Sequence, residues 1–254
     1  MYIYTCEPTI EAMLSCIYEA WSSKKGHQNI KLMLEPVEQY TLFDQYIHVD
    51  ADEKKVLSVM DAVCQKLSPI FYQQLIYTAI ACEEDAFDNI YRCMILGFAY
   101  GTAALEMVQF KDVMRNKIIR KRLSSEINRF QEIMRFHQID QVYIAHFEPK
   151  SRIAVALGPI FEDRMPSEHW MIIDDIHKEA VIHPKDQHFY MRHLSDEEFE
   201  RLAQTELIND HFTDMWAAFF DSITIKERTN PTCQLNHFPL WARKHAVEFN
   251  YGEA

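Results

Sequence analysis

The sequence has little glycine, five residues in 254, and no tract of low complexity. That excludes long flexible linkers. It also excludes a glycine-rich phosphate cradle, which needs backbone that can approach an anion closely. No internal repeat recurs at solenoid periods. The six cysteines, at 6, 16, 64, 82, 93 and 233, form no CxxC and no CxxxCxxC cluster. The chain is therefore neither a zinc ribbon nor itself a radical-SAM enzyme. HExxH and a nucleophile-elbow motif are also missing, which removes the best-marked routes to metal-dependent and serine hydrolysis. The longest uncharged run, residues 67–82, is too short to span a bilayer. The first residues lack the basic and apolar regions of a signal peptide. These absences lead us to expect a cytoplasmic protein with reduced, mostly buried thiols and no membrane association, complete at Met1.

What is present supports a folded core. Apolar residues make up 48% of the chain and aromatics 13%. A chain of this size buries most of such surface in one large domain or two small ones. The expectation is a single compact α+β domain over 1–254, with lobes at 1–110, helical, and 111–254, sheet plus helices. A formal charge of −12 argues against a nonspecific nucleic-acid coat, because phosphates repel an acidic surface. A local basic site remains compatible with it.

In the amino-terminal half, Tyr2 to Cys6 alternates like a strand. Ile10, Met13, Leu14, Ile17 and Trp21 then keep helical spacing after Thr9, a capping residue. Residues 30–49 show no clear period and read as irregular. Asp50 with Glu53 suggests a capping box before Val56, Val59, Met60 and Val63, and Ser68-Pro69 starts another helix. Phe87, Ile90, Tyr91, Met94 and Phe98 mark a helix apolar on both sides and therefore central. These Met and aromatic stripes read as packing.

Residues 111–135 are the basic exception, with eight Lys and Arg against Asp112, Glu126 and Glu132. On a helix, Lys117, Arg120 and Lys121 share a face that suits a track of phosphates. The alternative, and the usual reading of a charge run, is a solvated face that balances an acidic body.

The carboxy-terminal half carries the sheet. Residues 131–137 and 141–148 alternate with period two and read as a hairpin closed by Pro149. A short helix with Pro159 inside follows, and then strands at 170–174, 180–183 and 188–192 form an antiparallel meander. Ser195 with Glu198 caps a helix, and another helix covers 212–223. The fold class is α+β: helices first, then an antiparallel sheet of four to five strands packed with helices. His169, His177, His183, His188 and His193 crowd the meander, but no fixed ligand spacing links them. They read as surface histidines, and neither a metal nor a cofactor is expected. Glu148, Asp174 and Asp175 end strands, where carboxylates can activate water or simply shape turns.

Residues 216–239 hold the densest polar cluster. Trp216, Phe219, Phe220 and Ile223 are spaced to bury one helix face, and Glu227, Arg228, Asn230 and Gln234 follow on what reads as a loop. A rigid helix carrying such donors suits a polar ligand. The plainer alternative is a helix end followed by an Asn-Pro turn.

The run Ile225, Glu227, Arg228, Asn230, Pro231, Gln234 and Phe238-Pro239 resembles the end of a bacterial family assigned to DNA metabolism or repair. Scattered matches support it along the chain: Glu19-Ala20-Trp21, Arg135-Phe136, Glu148-Pro149, Phe161, Arg164, Ile173-Asp174-Asp175 and Trp216. The chain departs from that pattern at Ile160 and Asn128, where relatives carry histidines. The resemblance implies an accessory role beside a radical-SAM DNA-repair-like protein, and an association with uracil-DNA-glycosylase-like domains. Under it, DNA is the expected partner, contacted by Lys117, Arg120, Lys121, Arg135, Arg164, Arg228, Asn230 and Gln234. The alternatives are an enzyme acting on a damaged or modified base, with Glu148, Asp174 or Glu227 as acid or base, and a non-catalytic protein-interaction module. Oligomeric state is not legible.

Overall fold

The computed structural model describes residues 1–207 and 211–250, and the chain divides into two compact units, 1–123 and 124–254. The first unit opens with β1 (Tyr2–Cys6) and α1 (Ile10–Ser22), whose N-cap Thr9 accepts from the Ala12 N–H at 3.2 Å. Then come β2 (Ile30–Leu34), β3 (Gln45–His48), α2 (Glu53–Lys66), α3 (Pro69–Ala79), α4 (Ala86–Tyr100) and α5 (Lys111–Ile133), the last ending in the second unit. The N-cap of α2 is Asp52 rather than Asp50, and Ser68 caps α3 with Pro69 in its first turn.

The segment expected to be irregular instead supplies two strands. β2 and β3 flank β1, and both pairings are parallel. Parallel pairing joins strands distant in sequence through a crossover and leaves no hairpin signal. β2 is an edge strand, and α4 serves its open side: Asp88 accepts from the Leu32 N–H at 3.0 Å, and Arg92 donates to the carbonyls of His27 and Ile30. Covering the edge in this way satisfies backbone groups that would otherwise invite another strand.

α4 is central, as its two-sided apolar pattern predicts: Phe87, Ile90, Tyr91, Cys93 and Met94 are all buried. Its approach to α3 depends on Gly97, where an added Cβ would lie 2.5 Å from a Phe71 ring carbon. Burial reaches Cys6, Cys16 and Cys93, whereas Cys82 and Cys233 are exposed.

The basic face of α5 is partly neutralised within this unit. Arg115 grips Asp85 with Nε–Oδ2 at 2.7 Å and also pairs with Glu83, and Arg122 reaches Glu83 at 3.0 Å. The Arg115 guanidinium holds the Asp85 carboxyl below its ordinary value of 3.8. A folded pKa below the unfolded one stabilises at pH above the unfolded value, and the contribution is lost as pH falls through the folded value. The melting-temperature gap between wild type and Asp85→Asn is therefore expected to be constant well above 3.8 and to close as pH falls through the lowered folded value. A gap that widens on acidification would contradict this pairing.

The second unit holds β4 (His137–Ile139), β5 (Val142–Phe147), α6 (Ala154–Arg164), β6 (His169–Asp174), β7 (Glu179–His183), β8 (Tyr190–His193) and α7 (Asp196–Ala203). It continues with α8 (His211–Ile223), α9 (Pro231–His237) and α10 (Val247–Asn250). The sheet order is β4-β5-β6-β7-β8. The class is α+β, as the pattern predicts, and the meander β6-β7-β8 is antiparallel. Two details differ. Residues 131–133 finish α5, so the hairpin is shorter and turns at Asp140. β5 and β6 run parallel, joined by the α6 crossover, so the sheet is mixed. Ser195 and Glu198 form the capping box expected of them. No described helix is long and apolar enough to cross a membrane.

Candidate functional site

The parallel pair creates the site. Its register sets Phe147 opposite Asp174, and the Asp175 N–H donates to the Phe147 carbonyl at 3.0 Å. Glu148 and Asp175 thus emerge side by side just past the carboxyl ends of neighbouring parallel strands. In sheets with parallel neighbours that region gathers loops and ligands, because the crossover chain must leave the sheet there. A second anchor fixes the Glu148 loop: the buried Glu126 carboxylate of α5 accepts from the N–H groups of Lys150 at 2.5 Å and Ser151 at 3.3 Å.

Two histidines bracket Asp175. His146, on β5 and 4% exposed, places Nδ1 2.9 Å from Asp175 Oδ1 and Nε2 3.0 Å from Thr205 Oγ1. The Thr205 hydroxyl donates its one proton to the Leu202 carbonyl, so it accepts from His146 Nε2–H. On the other side of the ring Nδ1 meets the carboxylate. That contact occupies Oδ1 and fixes the plane of Asp175. His245 sits on the other side, with Nε2 3.6 Å from Oδ2 and its ring stacked on that of His146 at 6.3 Å. Glu148 completes the group, since one ligand atom each from Glu148, Asp175 and His245 lie within 4.8 Å of one another. Among the described residues, no other set of three or more His, Cys, Asp or Glu is arranged to hold a metal ion.

The surroundings are cationic and aromatic. Lys244 pairs with Glu148. Three residues before Lys244, the Trp241 ring carries Lys150 Nζ 4.8 Å from its centroid and the Arg129 guanidinium at 5.4 Å, and packs edgewise on Phe130 at 5.9 Å. Carboxylates, imidazoles, amines and an indole are therefore gathered around the carboxyl ends of β5 and β6.

Of the carboxylates expected from the sequence, Glu148 belongs to this cluster. Asp174 does not face it: the side chain is fully buried and shapes the β6–β7 turn, accepting from the N–H groups of Ile176 and His177 and from His177 Nδ1 at 2.7 Å. Glu227 is exposed on a 3-10 turn at 226–228.

The nucleic-acid candidates fall on both units and several elements. Lys117 and Lys121 are exposed one turn apart on α5, and Arg120 donates to Gln74 Oε1 at 3.1 Å. Arg135 pairs with Glu248 at 2.8 Å and lies over the Trp216 ring at 4.8 Å. Arg164 donates to the Gln131 carbonyl and lies over Phe161. Arg228 and Gln234 are exposed.

The segment read as a polar loop is in fact helical from residue 231, and Asn230 is the N-cap of α9, its Oδ1 accepting from the Cys233 N–H at 3.0 Å. Asn with Pro at the first helical position is a helix start, which accounts for that pair without a ligand. The apolar face expected of α8 is not buried either. Trp216, Phe219 and Ile223 are 36%, 51% and 56% exposed, and the helix instead buries Ala217.

The meander histidines do not converge. His183 stacks flat on Trp170 and bonds the Glu168 carbonyl, His169 accepts from the Lys185 N–H, and His188 meets Glu162. The histidines of the candidate cluster, 146 and 245, lie outside the meander. His146 was legible in one respect: it stands two residues before Glu148, on the same side of a strand. Nothing in the sequence marks His245.

No curated protein matches the chain significantly. A family model does match, over residues 84–248, a span that contains His146, Glu148, Asp175 and His245, and the chain therefore belongs to the family described as a domain of unknown function (DUF4130).

Proposed function

We propose that this protein is an enzyme that activates a water molecule at Glu148, Asp175 and His245 and directs it at a substrate carrying a nucleobase. The observation that supports this is the gathering of two carboxylates and two imidazoles, from three separate segments, beyond the carboxyl ends of β5 and β6. A partly buried Asp held by a buried His, with a neighbouring carboxylate, is the arrangement that places and deprotonates water. His146 and Thr205 act as positioning residues. Trp241 with Lys150 and Arg129 supplies a π-face and cations, which suits a base and its phosphates. The resemblance to proteins of DNA metabolism favours DNA over a free nucleotide, and a damaged or modified base over a normal one.

The second reading is an accessory protein that binds DNA and presents it to a radical-SAM or glycosylase-like partner. The exposed pair Lys117 and Lys121 on α5 favours it.

One experiment separates the two. The full chain is incubated with single-stranded, duplex and uracil-containing DNA, assayed for released base and cut strand, with anisotropy binding in parallel across salt concentrations. The enzyme reading expects turnover that falls by about 10²–10⁴ in Asp175→Asn and Glu148→Gln, with binding little changed. Salt-dependent binding without turnover, weakened in Lys117→Ala, supports the accessory role instead. Neither turnover nor binding at low salt sinks both.

A further inference from the structure

We infer that Glu148, Asp175 and His245 bind a divalent transition-metal ion, with Zn²⁺ or Mn²⁺ the fitting class. The set mixes one nitrogen with two carboxylates, a donor combination suited to such ions. It is assembled from three segments: the residue after β5, the residue after β6, and the stretch between the 3-10 turn at 240–242 and α10.

The geometry points the same way. His245 Nε2 and Asp175 Oδ2 are 3.6 Å apart. That is too long for a hydrogen bond. It is close to the edge, roughly 3.3 Å, of a tetrahedron whose metal–ligand bonds are about 2.0–2.1 Å. Contraction of the three ligand atoms, which lie within 4.8 Å of one another, onto an ion would complete the triangle with Glu148.

Exposure is graded across the set, with side chains of Asp175, His245 and Glu148 at 11%, 13% and 27%. The ion would sit on a dry floor with an open side for water, as catalytic sites with three protein ligands do. Behind it, His146, with its side chain only 2% exposed, holds Oδ1 of Asp175 and leaves Oδ2 toward His245, as outer-shell partners of metal carboxylates do. The Lys244 ammonium on Glu148 occupies part of the cation's place. Its side chain is 56% exposed, so it can swing into solvent when an ion enters.

This inference rests on the preceding reading in taking the cluster as the working site, and it specifies the activation: a bound cation lowers the pKa of its water, with the carboxylates as ligands.

The test uses the full chain stripped with a chelator and titrated with Co²⁺, whose visible d–d bands report coordination, followed by competition with Zn²⁺. One equivalent is expected to bind with a tetrahedral or five-coordinate spectrum. His245→Ala and Glu148→Gln each lower affinity more than about 100-fold, and the positioning variant His146→Ala by about 10–100-fold. Lys244→Ala, which removes the competing ammonium, raises it several-fold. A purely structural role for these residues predicts no Lys244 effect of that sign. Circular dichroism of each variant separates lost ligands from lost fold, and Lys244→Ala, on an exposed side chain, keeps the test decisive if the others unfold. Absence of d–d bands, or affinity indifferent to all four substitutions, overturns the metal site. Turnover on DNA without Co²⁺ or Zn²⁺ binding removes the metal and leaves the enzyme reading. One-equivalent binding without turnover does the reverse.

Discussion

Asp174→Ala is expected to destabilise the protein by about 3–5 kcal/mol, because hydrogen bonds to a buried carboxylate contribute about 1.5–3 kcal/mol each and this one accepts several. The Asp174 side chain is 0% exposed and its two oxygens serve three donors, two backbone N–H groups of the 174–177 turn and the His177 ring. Alanine removes the acceptor that all three share. It also loosens the turn that aligns β6 with β7. Asp174→Asn keeps a carbonyl for the backbone donors and should cost about 1–2 kcal/mol. Urea unfolding followed by tryptophan fluorescence measures both. The adjacent Asp175 gives the contrast: Asp175→Asn should shift the urea midpoint much less than Asp174→Ala while removing the proposed chemistry. A loss below about 1 kcal/mol for Asp174→Ala would mean that the turn is held by other contacts. Equal turnover losses for Asp174→Asn and Asp175→Asn at matched stability would return Asp174 to the list of reacting groups.

Glu126→Ala should cost a similar amount, about 3–4 kcal/mol, and should also impair the site. Its carboxylate is buried and accepts two backbone N–H groups from the strand-to-helix loop that carries Glu148. Hydrogen bonds to a charged acceptor contribute about 1.5–3 kcal/mol each, and the buried Ser151 donor left behind adds its own desolvation. Ser151, itself buried, has no water to turn to. Once the loop is released, Glu148 no longer has a fixed distance to Asp175. Loss of turnover and of metal affinity should then accompany the loss of stability, although Glu126 touches neither ligand nor substrate. Glu126→Gln retains an acceptor and should recover most of both. If Glu126→Ala lowers stability but leaves Co²⁺ affinity unchanged, the loop is held by α6 and the sheet without it.

Legibility from sequence followed the range of each interaction. Thr9, Ser68-Pro69 and the Ser195–Glu198 box were readable because a cap bonds residues two or three positions away. The meander was readable because adjacent antiparallel strands share a turn. β2 and β3 were not: their partner is β1, and a parallel pair reports itself only through a crossover. The polar run after residue 225 misled in the opposite sense. Asn, Pro and Gln look like ligand donors, yet the first two start a helix and Gln234 points to solvent within it. α8 shows the limit of periodicity, since spacing aligns Trp216, Phe219 and Ile223 on a face without stating that anything covers it.

By itself, then, the sequence determined the class and most of the elements: helices first, a sheet after them, a core of alternating and heptad-like apolar residues, and Glu148 at a strand end. Those features depend on the pitch of helix and strand, which any ten residues reveal. Only the tertiary structure decided that β5 and β6 lie parallel in a register that ends them together, that Asp174 serves the β6–β7 turn while Asp175 faces the histidines, and that His146 and His245 close on Asp175 from either side. Those features depend on contacts between residues far apart in the chain. No local pattern encodes such contacts, because the free energy that selects them comes from packing the whole sheet.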